Sequence, residues 1–352
     1  MSDTMLSITA ADGYSLEAML SVPDISPEKL VVYVNGSGPN TYNIKRQKPD
    51  GTFYNYHDYF ANEFTNRKIA YCRYSTRGVR DGDTAPYFVD IDDEQYKTYL
   101  PHNSVSDVEC IIKHIRKKYP DISVYLLGWS EGTIIAPLVV QNGNVRVDGL
   151  LLCGYCNENL RDTLIWQLSG NTSLIQCRRL FDTDRKGYIT KPDFEEDPLH
   201  VRQAVFGSAE FNELDADGDG KLTAADFAPK AMEHLKNLLS AIELGDDQWL
   251  KNNHGIRLTA GWWREHFSLE ANKNVLPRLE LPIHIFSGEY DSMTPRFQSK
   301  DIEQRFQSLE KKNLTVHYFE NHDHDLNYLK WIIKGEQSDG IKCLLETAEK
   351  MM

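Results

Sequence analysis

The chain has 352 residues, of which 41% are hydrophobic and 26% charged. This is ordinary for a globular protein of about two domains and excludes a disordered or collagen-like chain. Lys and Arg number 39 against 52 Asp and Glu, a net charge of −13, so no broad basic face for nucleic acid or an anionic membrane is expected.

The acidity is local. Between Asp182 and Asp226 there are 12 acidic and 5 basic residues, a net of −7 and more than half of the excess. Such a block usually reads as a solvated surface. Here the acids recur at regular positions, which points to cation ligands. The first residues, MSDTMLSITAADG, carry acids at positions 3 and 12 and no long apolar run, unlike a secretory signal. No stretch approaches the ~18 apolar residues of a membrane span. Six cysteines are too few for a disulfide scaffold. A cytoplasmic protein with reduced thiols is expected. Cys153 and Cys156 have redox spacing, but Cys153 ends an apolar run, so buried structural thiols are expected instead.

In chain order, residues 5–22 read as a hairpin turning at Asp12-Gly13. Residues 30–34, LVVYV, form a buried strand stopped by Asn35-Gly36-Ser37-Gly38-Pro39. Residues 56–66 are helical in pattern, and 69–74 form a strand. From Ser104 to Lys118 an apolar stripe of Val105, Val108, Ile111, Ile112 and Ile115 predicts an amphipathic helix. A strand at 124–127, the segment Gly128-Trp129-Ser130-Glu131-Gly132 and an apolar helix kinked at Pro137 come next, then a strand at 147–153. The alternation predicts a parallel sheet with helices on both faces. It stops between Asn157 and Glu280, where helical patterns and the acidic block but no clear strand appear. It resumes with a strand at 282–286, a helix near 296–311, a strand at 314–319 and a final helix.

G-x-S-x-G between strand and helix is a nucleophile-elbow pattern. Its glycines leave room for a sharp turn that lifts Ser130 Oγ off the sheet edge and puts the Glu131 amide at a helix N-terminus, where it can donate to an oxyanion. The bland alternative is an ordinary tight turn. An activated serine needs a base and an orienting acid, in the order Ser, acid, His. Asp291 lies on the loop after strand 282–286. The loop after strand 314–319, Asn321-His322-Asp323-His324-Asp325, offers two histidines. His-x-His can also chelate a metal, but no third ligand is evident. A histidine base predicts a rate that rises through pH ~6.5–7. The second oxyanion donor is expected from the glycine loop after strand 30–34, with Ser37 N–H first and Gly36 next.

The pieces VVYVNGSGP, IAYCRYSTRG, GWSEGT, IFSGEYDSMTP and FENHDHDLNY resemble the α/β-hydrolase superfamily, in particular its esterase- and serine-peptidase-like members. The resemblance covers roughly residues 1–157 and 281–352 and implies an α/β-hydrolase core there, a mostly parallel central sheet flanked by helices. It implies Ser130 as nucleophile, Asp291 as acid and, from the segment Asp323-His324-Asp325-Leu326-Asn327, His324 rather than His322 as base. Asn35 stands where many members carry His. Residues 158–280 are then a helical cap insertion. The implied function is a serine hydrolase acting on a carboxylic ester or related acyl bond of a small molecule, with no nucleic-acid or membrane partner. A serine peptidase or acyltransferase, or a calcium-binding interaction module on an inactive hydrolase fold, are the alternatives.

Within the insertion two windows starting 33 residues apart carry calcium-loop spacing, as in a paired EF-hand unit. The second, 215–226, sets Asp215, Asp217 and Asp219 at positions 1, 3 and 5, Gly220 at 6, the Lys221 carbonyl at 7 and Asp226 at 12. The first, 182–193, offers Asp182, Asp184, the Tyr188 carbonyl and Asp193, but Lys186 at position 5 repels a cation. Asp at position 12 is shorter than the usual Glu, which favours weaker calcium binding or better competition by magnesium. Calcium is expected in the second loop and little or none in the first. Trp166, Trp262 and Trp263 flank this unit as pocket or core residues.

Overall fold

The computed structural model describes residues 1–351. Eight strands form one sheet: β1 (Ser2–Thr9), β2 (Ser15–Val22), β3 (Lys29–Val34), β4 (Ile69–Tyr74), β5 (Ser123–Trp129), β6 (Gly149–Cys153), β7 (Ile283–Gly288) and β8 (Leu314–Phe319). Their order is β1-β2-β4-β3-β5-β6-β7-β8. β1 and β2 pair antiparallel, as do β2 and β4, and from β4 to β8 every pairing is parallel.

The central strands are apolar without alternation because both their faces are covered. β3, β4, β5 and β6 are almost wholly buried, whereas β1 at one edge is mostly exposed. On one face Leu30, Val32, Leu126 and Leu150 pack against Val108, Ile111 and Ile112 of α2 (Pro101–Arg116). On the other, Val31, Leu127 and Leu151 pack against Phe60 and Phe64 of α1 (Tyr56–Asn66) and against Leu344 and Leu345 near the C-terminus. α2 starts three residues before the expected Ser104, with Pro101 in its first turn, where a missing N–H costs nothing. The helix α3 (Gly132–Asn142) continues through Pro137.

Between β6 and β7 the chain leaves the large sheet and builds two further cores. One gathers Leu235, Leu238 and Ile242 of α4 (Ala224–Leu244) with Trp262 and Trp263 of α5 (Ala260–Ser268) and with Tyr96 and Tyr99. The other packs Phe181, Ile189, Phe194, Phe211 and Leu222. Here lies a strand pair that the sequence pattern did not reveal, Ile189–Thr190 against Lys221–Leu222, with Ile189 opposite Leu222. Two residues per strand are too few to show a period. The pair joins position 8 of the two calcium-type loops, so they form one unit. No helix of the described residues is long and apolar enough to cross a membrane.

Candidate active site

β5 ends at Trp129, and Ser130 follows with φ 55°, the left-handed region that costs a residue with a side chain roughly 1–3 kcal/mol. The turn closes because its flanks lack side chains. A Cβ on Gly128 would lie 2.4 Å from the Gly132 carbonyl oxygen, and one on Gly132 would lie 2.1 Å from that of Val34. The Ser130 amide donates to the Cys153 carbonyl at 2.9 Å, tying the elbow to the end of β6.

Asp291, on the loop after β7, is 2% exposed. Its Oδ1 accepts from the amides of Met293 at 2.9 Å and Thr294 at 2.8 Å, and its Oδ2 from the Thr294 hydroxyl at 2.8 Å. Nδ1 of His324, on the loop after β8, stands 2.9 and 3.0 Å from the two oxygens. The imidazole lies over Gly154, where a Cβ would come within 2.5 Å of His324 Cε1. Gly154 follows Cys153, so the ring sits beside the elbow, and Ser130 and His324 line the same cavity. Burial alone would lower the His324 pKa. The Asp291 carboxylate, helped by Asp325 and Asp323, outweighs it and raises the value to about 9, above the 6.5–7 expected from an ordinary imidazole. His322 is engaged at both nitrogens, with Nδ1 2.7 Å from the Glu320 carbonyl and Nε2 3.3 Å from the Gly340 amide. It has no nitrogen free for a substrate.

Gly36 comes so close to the elbow that a Cβ there would meet Trp129 O at 3.2 Å and Ser130 Cβ at 3.4 Å. Asn40 draws the Gly36 carbonyl to itself at 2.8 Å. Among the described residues no protein acceptor takes the amides of Gly36, Ser37 or Glu131. Gly36, Ser37 and Glu131 all border the cavity with Ser130. Asn35 points away and donates to the Tyr74 carbonyl at 3.0 Å.

The cavity measures about 850 Å³, and the insertion supplies part of its wall, including Leu164, Leu168, Trp262 and Trp263. Trp166 instead packs edge-on against Phe297. The side chain of Glu131 makes a connection that sequence reasoning missed. Its buried carboxylate accepts from Trp262 Nε1 at 3.0 Å and from the Tyr99 hydroxyl, and lies 2.9 Å from His266 Nε2. The elbow is thereby fastened to α5. No local pattern marks partners that lie 32, 131 and 135 residues away.

A second connection runs from the insertion to the loops of Asp291 and His324. Arg179 donates to Asp323 at 2.8 Å and to Asn327 at 2.7 Å. Arg185 donates to Glu320 and to Asn321, each at 3.1 Å. Thr172 and Gln167 donate to the carbonyls of Ser292 and Met293, each at 2.8 Å.

The two calcium-type loops differ in what fills them. In the second, carboxylate oxygens of Asp215, Asp217 and Asp219 lie within 4.8 Å of one another, and Asp215 Oδ1 is buried without a hydrogen-bond partner. Such an orphaned oxygen fits a cation site. Asp226 accepts from the amides of Ala216 at 2.9 Å and Thr223 at 2.6 Å. In the first, Lys186 Nζ sits 2.5 Å from Asp184, 2.9 Å from Asp193 and 3.9 Å from Asp182. Burial opposes its charge, but Asp184 and Asp193 outweigh this and hold the ammonium above its usual pKa. Asp182 also accepts from the amides of Lys186 and Gly187, each at 2.9 Å. Of the expected first-loop set Asp182, Asp184, Tyr188 and Asp193, the three carboxylates surround a lysine ammonium, in line with the expectation of little or no calcium there. Position 5 does not merely repel a cation; it supplies one.

Cys153 and Cys156 are free and buried. Burial holds the first thiol well above its ordinary pKa and pushes the second up to about 11, which leaves no reactive thiolate.

The EF hand family model matches residues 209–228, which include the whole second loop. No curated protein matches the chain by sequence. Among solved structures, a thermostable carboxyl esterase from Bacillus coagulans superposes with TM-score 0.57 at 13% identity, covering 100% of this chain and 99% of that one. An esterase from Exiguobacterium antarcticum gives 0.51 at 16%, covering 99% and 100%. An acylaminoacyl peptidase from Pyrococcus horikoshii gives 0.51 at 9%, covering 99% of this chain but 42% of that one. These identities speak to the fold. Together with the strand order and the elbow, they show that the chain has the α/β-hydrolase fold, with an EF-hand segment in the insertion between β6 and β7.

Proposed function

We propose that the protein is a serine hydrolase that cleaves a carboxylic ester or related acyl bond of a small molecule. The observation that carries this reading is one cavity holding a strained Ser130 at an elbow and a His324 fixed by Asp291. Ser130 Oγ attacks the acyl carbon while His324 Nε2 takes its proton. Asp291 holds His324 Nδ1–H, which fixes the tautomer and stabilises the imidazolium. The amides of Glu131 and Ser37, with Gly36 next, take the charge that develops on the carbonyl oxygen. His324 returns its proton to the leaving group, and water then releases the acyl group by the same route. Turnover of p-nitrophenyl butyrate by wild type and Ser130→Ala tests this. A loss of roughly 10³-fold or more is expected, and a folded variant of wild-type rate contradicts it.

The second loop is the calcium site in this reading, held by Asp215, Asp217, Asp219, Asp226 and the Lys221 carbonyl. The ion neutralises the clustered carboxylates and stabilises the insertion; no step of the chemistry needs it. Residues 158–280 act as a cap on the core of 1–157 and 281–352.

A further inference from the structure

The cavity wall carries a charge that the hydrolytic chemistry does not use. Two carboxylates border the cavity, Glu131 and Asp325. Glu131 is taken up by Tyr99, Trp262 and His266. The Asp325 side chain is exposed, and its carboxylate has no cationic partner and no hydrogen bond of ordinary geometry among the described residues; its amide is engaged by Asp323 at 3.1 Å and its carbonyl by Tyr328 at 2.9 Å. Arg179 reaches the neighbouring Asp323 and Asn327 instead.

The surroundings of Asp325 are aromatic. Tyr33, Tyr56, Trp129 and Tyr328 border the same cavity. Their rings form a continuous wall, with centroids 6.4 Å apart for Tyr33 and Trp129, 6.5 Å for Tyr56 and Trp129, and 4.2 Å for Tyr56 and Tyr328. The indole N–H of Trp129, a residue 3% exposed, finds no acceptor at ordinary hydrogen-bond geometry, and the Asp325 carboxylate is the group it acts on. Burial raises the Asp325 pKa, and the His324 charge and this indole pull it back.

The other charges on the wall are already answered. Arg46 donates to the carbonyls of Lys45 and Tyr87 and lies 5.2 Å from the Tyr87 ring centroid. His254 is held near pKa 4 by burial and by His234, so it is neutral at pH 7. His324 is matched by Asp291.

We propose that Asp325 and the aromatic wall around it form a subsite for an organic ammonium group, which makes amine-bearing acyl compounds the substrate class. A carboxylate that faces the cleft with no cationic partner gains from a cation that brings its own N–H groups. Aromatic faces add attraction for the same charge and none for a neutral isostere. The proposal rests on the hydrolase reading, because it assigns the substrate of the same cavity.

Two measurements test it separately from that reading. The first is binding and needs no turnover. Calorimetric titration with n-hexylammonium and with 1-hexanol compares one chain length with and without the charge. The cation is expected to bind at least tenfold more tightly to wild type, and the preference to fall below about threefold in Asp325→Asn while Asp325→Glu retains it. Equal binding of the two by wild type overturns the proposal, as does a preference that survives in Asp325→Asn; the wild-type comparison stands without any variant. The second is kinetic, the ratio of kcat/KM for p-nitrophenyl 6-aminohexanoate to that for the isosteric p-nitrophenyl heptanoate. The ratio should exceed ten in wild type and collapse in Asp325→Asn, whatever the absolute rates, since both esters use the same His324. Turnover of the neutral ester with a ratio near one overturns the ammonium subsite and spares the hydrolase. Cation-selective binding with no turnover of either ester supports the subsite and counts against the hydrolase.

Discussion

The sheet and the insertion reach the candidate active site by different physics. The sheet delivers Ser130, Asp291 and His324 from loops after β5, β7 and β8, and β5 and β7 are buried along most of their length. Each residue lies within a few positions of its strand end, so hydrophobic packing sets its place. The insertion reaches the same site through polar bridges between residues far apart in sequence: His266 to Glu131, Arg179 to Asp323, and Arg185 to Glu320. Substitutions at the sheet's site residues should therefore change chemistry with little change in folding. Substitutions at the bridges should change stability and cavity shape first.

The largest effect expected is on the sheet side. Ser130→Ala should lose roughly 10³-fold or more in kcat while its melting temperature stays near wild type, because the Cβ is kept and only a hydroxyl that makes no hydrogen bond is removed. His324→Ala should do the same, whereas His322→Ala should lower stability more than kcat, since both His322 nitrogens hold backbone groups. Thermal melting beside ester kinetics checks the contrast, and a reversed order of the two histidines breaks it.

On the insertion side, His266→Ala removes one partner of a buried pair, with both side chains about 1% exposed or less. A loss of about 3 kcal/mol is expected in urea unfolding. A change below 0.5 kcal/mol would show that the elbow does not depend on α5.

The pH dependence sharpens the sheet side. In the proposed mechanism the base must be neutral to accept the serine proton, and the His324 pKa is raised to about 9. The kcat/KM of the free enzyme should therefore climb with pH and level off only above that value. Asp291→Asn removes the foremost raising charge, so its residual activity should titrate at lower pH. A wild-type limb at pH 6.5 would mean that the carboxylates around His324 are screened.

The smallest effects separate the two loops of the insertion. Calorimetry should find calcium bound to wild type and to Lys186→Ala, and none bound to Asp215→Ala. At a calcium concentration 100 times Kd the gain is about 2.7 kcal/mol, so EGTA should lower the melting temperature by several degrees. Lys186→Ala should melt lower than wild type with or without calcium, because three carboxylates lose their cation. Equal loss of calcium binding in the Lys186 and Asp215 variants would erase the difference between the loops.

How much of this was legible follows from the range of the interactions. The strands of the sheet announce themselves as unbroken apolar runs such as LVVYV, because two-sided burial leaves no polar position. The elbow, the acid loop and the two-histidine loop are legible because each is a short segment at a strand end. The Glu131 network is not, since Tyr99, Trp262 and His266 meet it only after the insertion folds back. The role of Lys186 was half legible. Its position showed that a cation would be repelled, but a side chain long enough to reach Asp184 and Asp193 replaces the ion, and that depends on loop geometry. Asp325 hid beside the residue that drew attention, and only the cavity shows that its carboxylate has no cationic partner.

The most direct test of Ser130 as nucleophile is intact-protein mass spectrometry after treatment with an alkyl fluorophosphonate, followed by peptide mapping. A single adduct on the peptide containing Ser130, absent from Ser130→Ala, is the result predicted. A folded wild-type protein that takes up no phosphonate, or takes it up on another residue, would contradict the assignment.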